Sequence, residues 1–219
     1  NKTPMKFCLN TSTIKPQPLL KKIELAGAAG YDGIEIWLND IYDHIGRGGE
    51  VREVEQALAD NGLIVPCTIA IRQWGETDGW EYELVKDEAR RRFALAARLG
   101  APYIVATPPL EMEHQEHLPE RYRDLLQIGR EEGIKPTFEY ISFFKSVYNL
   151  ADAWRIVQET DDEDSTLILD AFHTWNSNSD MELLREIPVE KISHYHIDDA
   201  HPDKAPTTQK DPDRVMLGE

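Results

Sequence analysis

A helix, a glycine and a short apolar strand recur along the chain, and this repeat limits the possible folds more than any other feature. Four segments with helical periodicity each end at a glycine and lead into an apolar run: 19–29, 51–61, 81–99 and 120–132. Glycine directly after the last turn is typical of helices that end in the left-handed conformation. Two further helical segments, 150–159 and 181–186, precede apolar runs without a glycine. Such alternation predicts parallel strands joined by helical crossovers.

Seven strands follow from this pattern, and most are continuous apolar runs, as expected for a sheet covered by helices. We predict them at 6–10, 33–37, 63–69, 103–107, 136–140, 166–170 and 191–196. A doubly wound open sheet and a (β/α)8 barrel both fit. The chain has neither glycine-rich phosphate-binding motif of the open-sheet folds, which favours the barrel. A barrel normally takes eight strands and about 250 residues. We therefore expect 1–219 to be a single α/β domain, a (β/α)8 TIM barrel lacking its last strand and helices.

The charge balance and the cysteine content exclude several other classes of protein. The chain has 24 basic and 40 acidic residues, for a net charge of −16, which disfavours nucleic acid as a partner. No apolar run approaches the roughly 18–20 residues of a membrane span, so we expect no membrane partner. Cys8 and Cys67, the only cysteines, lie in strand-like runs and are interpreted as free thiols, which favours a cytoplasmic protein.

Three successive strands end in residues that are common metal ligands. Glu139 ends the fifth strand, Asp170 the sixth and His196 the seventh. The carboxyl ends of barrel strands face the active site, so these side chains can converge on one point. Taken singly, each is also typical of a helix cap, a salt bridge or a packed side chain. Taken together they predict a divalent metal site, with Mn²⁺ favoured and Mg²⁺, Co²⁺ or Zn²⁺ as alternatives.

Other strand-end residues are candidates for contacts with a substrate. Glu35 and Trp37 alternate onto one face of the second strand, and Asn10 ends the first. Trp37 can wall a sugar pocket or fill the barrel, and Asn10 can bind a polyol. His194 shares a face with His196 but lies deeper, which favours a supporting role. The segment containing His114 and His117 is interpreted as the polar start of the fourth helix.

The order and spacing of several motifs resemble the xylose isomerase-like TIM-barrel superfamily, which includes sugar-phosphate isomerases and epimerases, inosose isomerases and dehydratases, and endonuclease IV. The motifs are Phe138-Glu139, Leu169-Asp170-Ala171-Phe172-His173, the runs 194–200 and 213–219, and the second strand at 33–37. The resemblance implies that Glu139, Asp170 and His196 hold the metal together with a glutamate of an eighth strand that this sequence lacks. It also implies that His173 faces the substrate and that Arg214 reaches it.

The resemblance implies a metal-dependent isomerase or epimerase of a sugar, sugar phosphate or cyclitol. Proton abstraction next to a carbonyl would give a metal-stabilised ene-diolate, with Glu139 and His173 as catalytic residues and a homo-oligomer as an open possibility. The main alternative is a lyase like the inosose or 3-dehydroshikimate dehydratases, because the same intermediate can eliminate water. An endonuclease IV-like nuclease is less well supported, since the second and third strands offer no terminal histidine. A non-catalytic barrel also stays open, because the fourth metal ligand is lacking.

Overall fold

A seven-stranded parallel sheet lies at the centre of the computed structural model, which describes residues 4–111 and 115–218. Its strands lie side by side in chain order. They are β1 (Cys8–Asn10), β2 (Gly33–Trp37), β3 (Cys67–Ile71), β4 (Tyr103–Ala106), β5 (Lys135–Phe138), β6 (Leu167–Asp170) and β7 (Ile192–His196). Sequential order with parallel pairing is the topology of a (β/α)8 barrel, not of a doubly wound sheet. The predicted fold class is confirmed.

Within the described residues, seven α-helices accompany the sheet. They are α1 (Leu19–Ala28), α2 (Leu38–Gly46), α3 (Val51–Asp60), α4 (Gly79–Arg98), α5 (Leu118–Glu132), α6 (Leu150–Thr160) and α7 (Ala171–Asn176). Five of the predicted helices are confirmed to within two residues at each end. The sixth, predicted at 181–186, is instead a 3₁₀ helix, Met181–Arg185. Two helices, α2 and α7, were not predicted, because each begins directly after a strand without a turn residue between them.

The predicted glycine ends of the helices are confirmed by the backbone. The φ angles of Gly30, Gly62, Gly100 and Gly133 are 82°, 64°, 79° and 76°, in the left-handed region. Gly133 shows the consequence most clearly, because its N–H closes α5 by donating to the carbonyl of Gly129. These left-handed residues end each helix and turn the chain back towards the sheet.

The third strand begins later than predicted. Cys67–Ile71 is the strand, whereas the prediction began at residue 63. Pro66 has no N–H to give to a neighbouring strand, and Ile64 upstream of it forms only an isolated bridge with Gly33. Leu63 and Val65 are nevertheless buried, so the apolar run is part of the core without being part of the sheet.

The core has a large layer between sheet and helices and a smaller cluster inside the curled sheet. In the large layer the rings of Trp74, Tyr122 and Phe138 lie with centres 5.5–6.3 Å apart. Trp74 Nε1 donates to the Thr107 carbonyl at 2.8 Å, so its burial leaves no unpaired donor. The inner cluster joins residues of β3 and β4, which are neighbours, with one residue of β6: Cys67, Ile69, Ala70, Val105 and Ile168. Both cysteines are free, as predicted.

A short hairpin follows the seventh strand. Its strands are β8 (Asp199–Ala200) and β9 (Arg214–Val215), which pair antiparallel with Ala200 opposite Arg214. His114 and Glu219, which the sequence analysis discussed, lie outside the described residues. Within residues 4–111 and 115–218, no helix has the length and apolar character that crossing a membrane requires.

Gly129 is a position where the packing of α5 against the chain leaves no room for a side chain. A Cβ there would lie 2.5 Å from the Ile134 carbonyl oxygen and 2.6 Å from Pro136 Cδ. Gly129→Ala should therefore lower the free energy of unfolding by about 1–3 kcal/mol, although alanine is the better helix former. Urea denaturation would measure this change.

Gly46, the last residue of α2, supplies the matched control. It is exposed, and a Cβ there would meet no atom within 4 Å. Gly46→Ala should leave the stability unchanged or raise it by up to about 1 kcal/mol. Equal effects of the two substitutions would contradict the tight packing of α5.

Candidate functional site

Glu35, His194 and His196 meet inside the curled sheet, although they lie on β2 and β7. Glu35 Oε1 is 3.1 Å from His194 Nε2, and Glu35 Oε2 is 2.8 Å from His196 Nε2. The two imidazole Nε2 atoms are 3.3 Å apart. Ligand atoms of all three residues lie within 4.8 Å of one another, close enough to hold a metal ion. No other such group occurs in the described part of the chain.

Asn10 and Trp37 orient the carboxylate of Glu35. Asn10 Nδ2 donates to Glu35 Oε2 at 2.7 Å, and Trp37 Nε1 donates to Asn10 Oδ1 at 3.1 Å. The three residues that the sequence analysis assigned to substrate binding on β1 and β2 therefore lie together. They form one chain of hydrogen bonds that ends on His196, so they position a possible metal ligand as well as line the site.

Glu35 is ionised because the histidines opposite it compensate for its burial. The residue is only 4% exposed. Burial raises the pKa of its carboxyl group, but the charge of His196 and hydrogen bonds from both histidines outweigh this and lower the pKa well below its usual range. Burial lowers the pKa of His196, whereas Glu35 and Asp170 raise it, and the net pKa is well above 6.5. Without a metal ion, the cluster is an ion pair between β2 and β7.

Asp170 and Arg214 form the second part of the site. Asp170 Oδ1 caps α7 by accepting the N–H of His173 at 2.8 Å, and Oδ2 lies 3.1 Å from a guanidinium nitrogen of Arg214. Arg214 also donates to Asp198 and stacks 4.4 Å from the ring centre of Phe172. Burial raises the pKa of Asp170, but the charges and hydrogen bonds of His173, His196 and Arg214 hold it far below its usual range.

His173 lies beneath Arg214 and is 2% exposed. Its Nε2 is 3.0 Å from a guanidinium nitrogen of Arg214, and its Nδ1 is 3.0 Å from Ser142 Oγ. Burial is the main cause that lowers the pKa of His173 from 6.5 to about 4, so the ring is neutral at pH 7. The hairpin β8–β9 thus brings Arg214 to the predicted His173 and Asp170.

Glu139 follows β5 and has a different environment from the other carboxylates. Its Oε2 accepts a hydrogen bond from Thr107 Oγ1 at 3.2 Å. Burial raises its pKa from 4.5 to about 7; the negative charge of Asp170 adds to the shift and His196 opposes it. A carboxyl group with this pKa exists in both protonation states near neutral pH, which suits it to proton transfer.

The three residues predicted as metal ligands are neighbours, but they are not equally close. His196 Nδ1 lies 3.5 Å from Asp170 Oδ2. Among the described residues, no hydrogen bond or ion pair joins Glu139 to either of them. His196 therefore lies between two carboxylates, with Glu35 at its Nε2 and Asp170 at its Nδ1.

Sequence reasoning missed the close approach of His194 and Glu35. The alternation of residues along β7 placed His194 and His196 on one face, and the structure agrees. The opposite carboxylate comes from β2, more than 150 positions earlier in the chain. Only the curl of the whole sheet brings these strands together, and no local pattern encodes that contact. Asp198 belongs to the motif at 194–200, and its Oδ1 is buried without a hydrogen-bond partner in the described structure.

A family model described as the xylose isomerase-like TIM barrel matches residues 23–219. The chain belongs to this family. The resemblance inferred from the strand-end motifs is therefore confirmed, and the site described above lies where the family's barrels open, at the carboxyl ends of the strands.

Two groups of curated relatives are similar to the chain. The 3-dehydroshikimate dehydratase of Pseudomonas putida is 27% identical over 185 residues, which are 83% of this chain and 29% of that protein. The chain thus spans less than a third of the length of the dehydratases that it matches. The inosose isomerase of Halalkalibacterium halodurans is 26% identical over 222 residues, covering 98% of this chain and 78% of that protein.

Solved structures show the same fold. The IOLI protein with a bound zinc atom has a TM-score of 0.88 and 26% identity, with 98% of this chain and 80% of that chain covered. A fusion of a xylose isomerase-like TIM barrel with 4-hydroxyphenylpyruvate dioxygenase also has a TM-score of 0.88, at 24% identity over 97% of this chain and 34% of that chain.

The raised pKa of Glu139 makes the stability of the metal-free protein depend on pH. Between pH 4.5 and about 7 the folded chain binds more protons at this residue than the unfolded chain, so its contribution to stability falls as pH rises. Glu139→Gln should remove this loss, which makes the variant more stable relative to wild type at pH 8 than at pH 5. We expect a difference on the order of 1–3 kcal/mol.

Urea denaturation at both pH values in the presence of a chelator would measure this difference. Glu81→Gln, an exposed position on α4, is the control and should follow wild type at both pH values. A Glu139→Gln variant with the same pH dependence as wild type would show that Glu139 ionises normally in the folded protein.

Proposed function

We propose that the chain forms the site of a divalent-metal-dependent isomerase or epimerase acting on a sugar, sugar phosphate or cyclitol. The observation that carries the proposal is the position of His196 between two carboxylates, with a third carboxyl group of raised pKa beside them. The inosose isomerases support it, since they match 98% of the chain. The similar IOLI structure has a bound zinc atom, which supports a divalent metal.

The chemistry of the donors fits a divalent cation. The positive charges of His196 and Arg214 do not fully offset the burial of the Glu139 carboxyl group, and a bound cation would supply further positive charge. We propose Glu139, Asp170 and His196 as the ligands, and oxygen atoms in the majority favour Mn²⁺ over Zn²⁺. Glu35, His194 and His196 are the competing set, since their atoms are already close. A bound ion would polarise a substrate carbonyl and acidify the adjacent C–H bond.

The proton chemistry follows from the different environments of the two carboxylates. Asp170 stays ionised at any pH near neutrality, because Arg214 and two histidines surround it. Glu139 is partly ionised at pH 7 and can accept the proton from the carbon next to the carbonyl. His173 and Arg214 can bind substrate oxygens, and Asn10, Glu35 and Trp37 form the wall on the opposite side. The substrate is then a small sugar or cyclitol.

The proposal extends to the partners of the protein and to its location in the cell. The net charge of −16 argues against nucleic acid as a partner. The free thiols of Cys8 and Cys67 fit the cytoplasm. A homo-oligomer is compatible with this function and is not required by it.

One observation favours a second candidate function, a lyase acting on an acidic substrate. Arg72 directly follows β3, and its guanidinium carbon lies 5.7 Å from the ring centre of Trp37. Across residues 4–111 and 115–218, its guanidinium forms no hydrogen bond or ion pair. A free guanidinium beside the wall of the site suits a carboxylate. Of the substrates in the relatives' names, 3-dehydroshikimate carries a carboxylate and inosose does not.

Metal binding tests the main proposal. Chelator-treated protein should take up about one Mn²⁺ or Zn²⁺ per chain after incubation and gel filtration, as measured by elemental mass spectrometry. Asp170→Asn should abolish this uptake, because a neutral amide is a poor ligand, whereas Glu35→Gln should retain it. Glu81→Gln is again the surface control. If Glu35→Gln took up no metal and Asp170→Asn still did, the ligands would be Glu35, His194 and His196.

Solvent exchange tests the reaction itself. In D₂O with metal present, the protein should catalyse the exchange of the hydrogen next to the carbonyl of an inosose or ketose for deuterium. Proton NMR would follow the loss of that hydrogen signal. Glu139→Gln should slow this exchange by about 10²–10⁴-fold, the usual contribution of a general base. Wild-type protein that binds no metal and exchanges no proton with any sugar or cyclitol would overturn the proposal.

The two candidate reactions are separated at Arg72. If the acidic substrate is the right one, Arg72→Gln should raise KM for 3-dehydroshikimate about tenfold or more, because a charge-assisted hydrogen bond is lost. Activity on inosose should not change. Arg91→Gln, at an exposed position of α4, is the matched control. No conversion of 3-dehydroshikimate by wild type would reject the lyase.

A further inference from the structure

Behind His173 lies a buried amide that connects three segments of the chain. Asn176, the last residue of α7, is completely buried. Its Nδ2 donates to Ser142 Oγ at 2.8 Å and to the Gln209 carbonyl at 2.9 Å, and its Oδ1 accepts the N–H of Thr207 at 2.8 Å. A rotated amide would face a carbonyl with its oxygen and an N–H with its nitrogen. The orientation of Asn176 is therefore fixed by its partners.

This fixed amide determines where the hydroxyl group of Ser142 donates. Because Asn176 donates to Ser142 Oγ, the hydroxyl hydrogen is free to point at its other neighbour, His173 Nδ1, at 3.0 Å. The backbone N–H of Ser142 is directed at the same atom, at 3.3 Å. Two donors from one residue thus face Nδ1, which can receive them only as an unprotonated nitrogen.

We propose that Asn176 and Ser142 are positioning residues that fix His173 as the tautomer with its hydrogen on Nε2. A neutral imidazole carries one hydrogen, and Nδ1 is occupied as an acceptor, so the hydrogen lies on Nε2. Phe143 and Phe172 contact the ring edge-on, with ring centres 5.6 and 5.5 Å from that of His173. His173 then offers the site an N–H donor and leaves the role of base to Glu139.

The position of Arg214 indicates what this donor is for. A guanidinium nitrogen of Arg214 lies 3.0 Å from His173 Nε2, and it too can only donate. Arg214 is held there by the carboxylates on its other sides, Asp170, Asp198 and Asp211. The Nε2–H of His173 and an N–H of Arg214 therefore point at each other, and neither has an acceptor there. An oxygen of the substrate that accepts from both would relieve this contact, so the pair forms a subsite for a hydroxyl, carbonyl or anionic oxygen.

The tautomer is a property of the folded chain, whereas its use in a reaction rests on the proposed function. It can be read without activity, from long-range proton–nitrogen correlation spectra of metal-free, ¹⁵N-histidine-labelled protein at pH 7. The signals of His173 are assigned from the spectrum of His173→Gln. We expect the Nε2–H pattern in wild type. An Nδ1–H pattern, with Arg214 donating to Nε2, would overturn the proposal.

Substitutions test which residues fix the tautomer. Ser142→Ala removes one of the two donors to Nδ1, so Arg214 should draw a substantial fraction of His173 to the Nδ1–H form. Ser142→Thr keeps the hydroxyl group and should restore the wild-type pattern. Asn176→Asp keeps the size of the side chain but replaces the donor to Ser142, and should shift His173 in the direction of Ser142→Ala. An Nε2–H pattern unchanged in Ser142→Ala and Asn176→Asp would show that neither residue positions His173.

Kinetics test the subsite once a substrate is known. Ser142→Ala should raise KM about tenfold and change kcat much less, because the lost contact is a hydrogen bond to bound substrate. Ser142→Thr should recover most of the loss. A fall in kcat with unchanged KM would place His173 in proton transfer and contradict the donor role. Protein without any activity would refute the proposed function and leave the spectroscopic result valid.

Discussion

The ion pair between Glu35 on β2 and the histidines of β7 depends on the curl of the whole sheet. Five strand positions separate these two strands, so a flat sheet would hold them more than 20 Å apart. Each crossover adds its strand beside the previous one, and the helices cover the outside. The curl of the sheet then brings the side chains on the inner faces of β2 and β7 into contact. The contacts of Glu35 with His194 and His196 depend on that geometry, whereas Asn10 with Glu35 and Asp170 with His196 are contacts between adjacent strands.

The chemistry of the site depends on how differently its carboxylates are surrounded. Glu35 and Asp170 are buried next to positive charge and stay ionised. Glu139 lies beside a threonine hydroxyl, without a cation in contact, and its pKa is about 7. Similar side chains at the ends of nearby strands are thus given separate roles by their neighbours. Asp170 keeps a permanent negative charge, and Glu139 can exchange a proton at neutral pH.

Local patterns of the sequence were sufficient for most of the fold. Helical periodicity located five helices, and a glycine marked the end of four of them, because the left-handed end of a helix favours glycine. The helix α7 escaped prediction, since its cap is Asp170, which the strand pattern had already assigned to β6. The start of β3 was wrong because Pro66 ends the pairing within an apolar run. Asp170 serves both a strand and a helix, and Pro66 interrupts the pairing inside a run that is apolar throughout.

The site was predictable only along single strands. Alternation placed His194 beside His196, and the ends of successive strands indicated Glu139 and Asp170. The partners of these residues come from elsewhere: Glu35 lies across the barrel. Ser142 and Asn176 lie in segments whose conformation depends on buried hydrogen bonds. Such contacts join positions that are distant in the chain, and neither composition nor periodicity encodes them.

The loop between β8 and β9 has one half that is anchored on α7 and one half that is exposed and bonded only within the loop. Thr207 and Gln209 are tied to Asn176, and Ala200 pairs with Arg214 where the loop closes. Residues 202–205 are exposed. Insertions at that tip would lengthen the rim of the barrel without moving the guanidinium group at its base. The exposed residues 202–205 can therefore change in sequence and length while the anchored residues stay the same. A different substrate preference could be introduced by changes in the exposed part only.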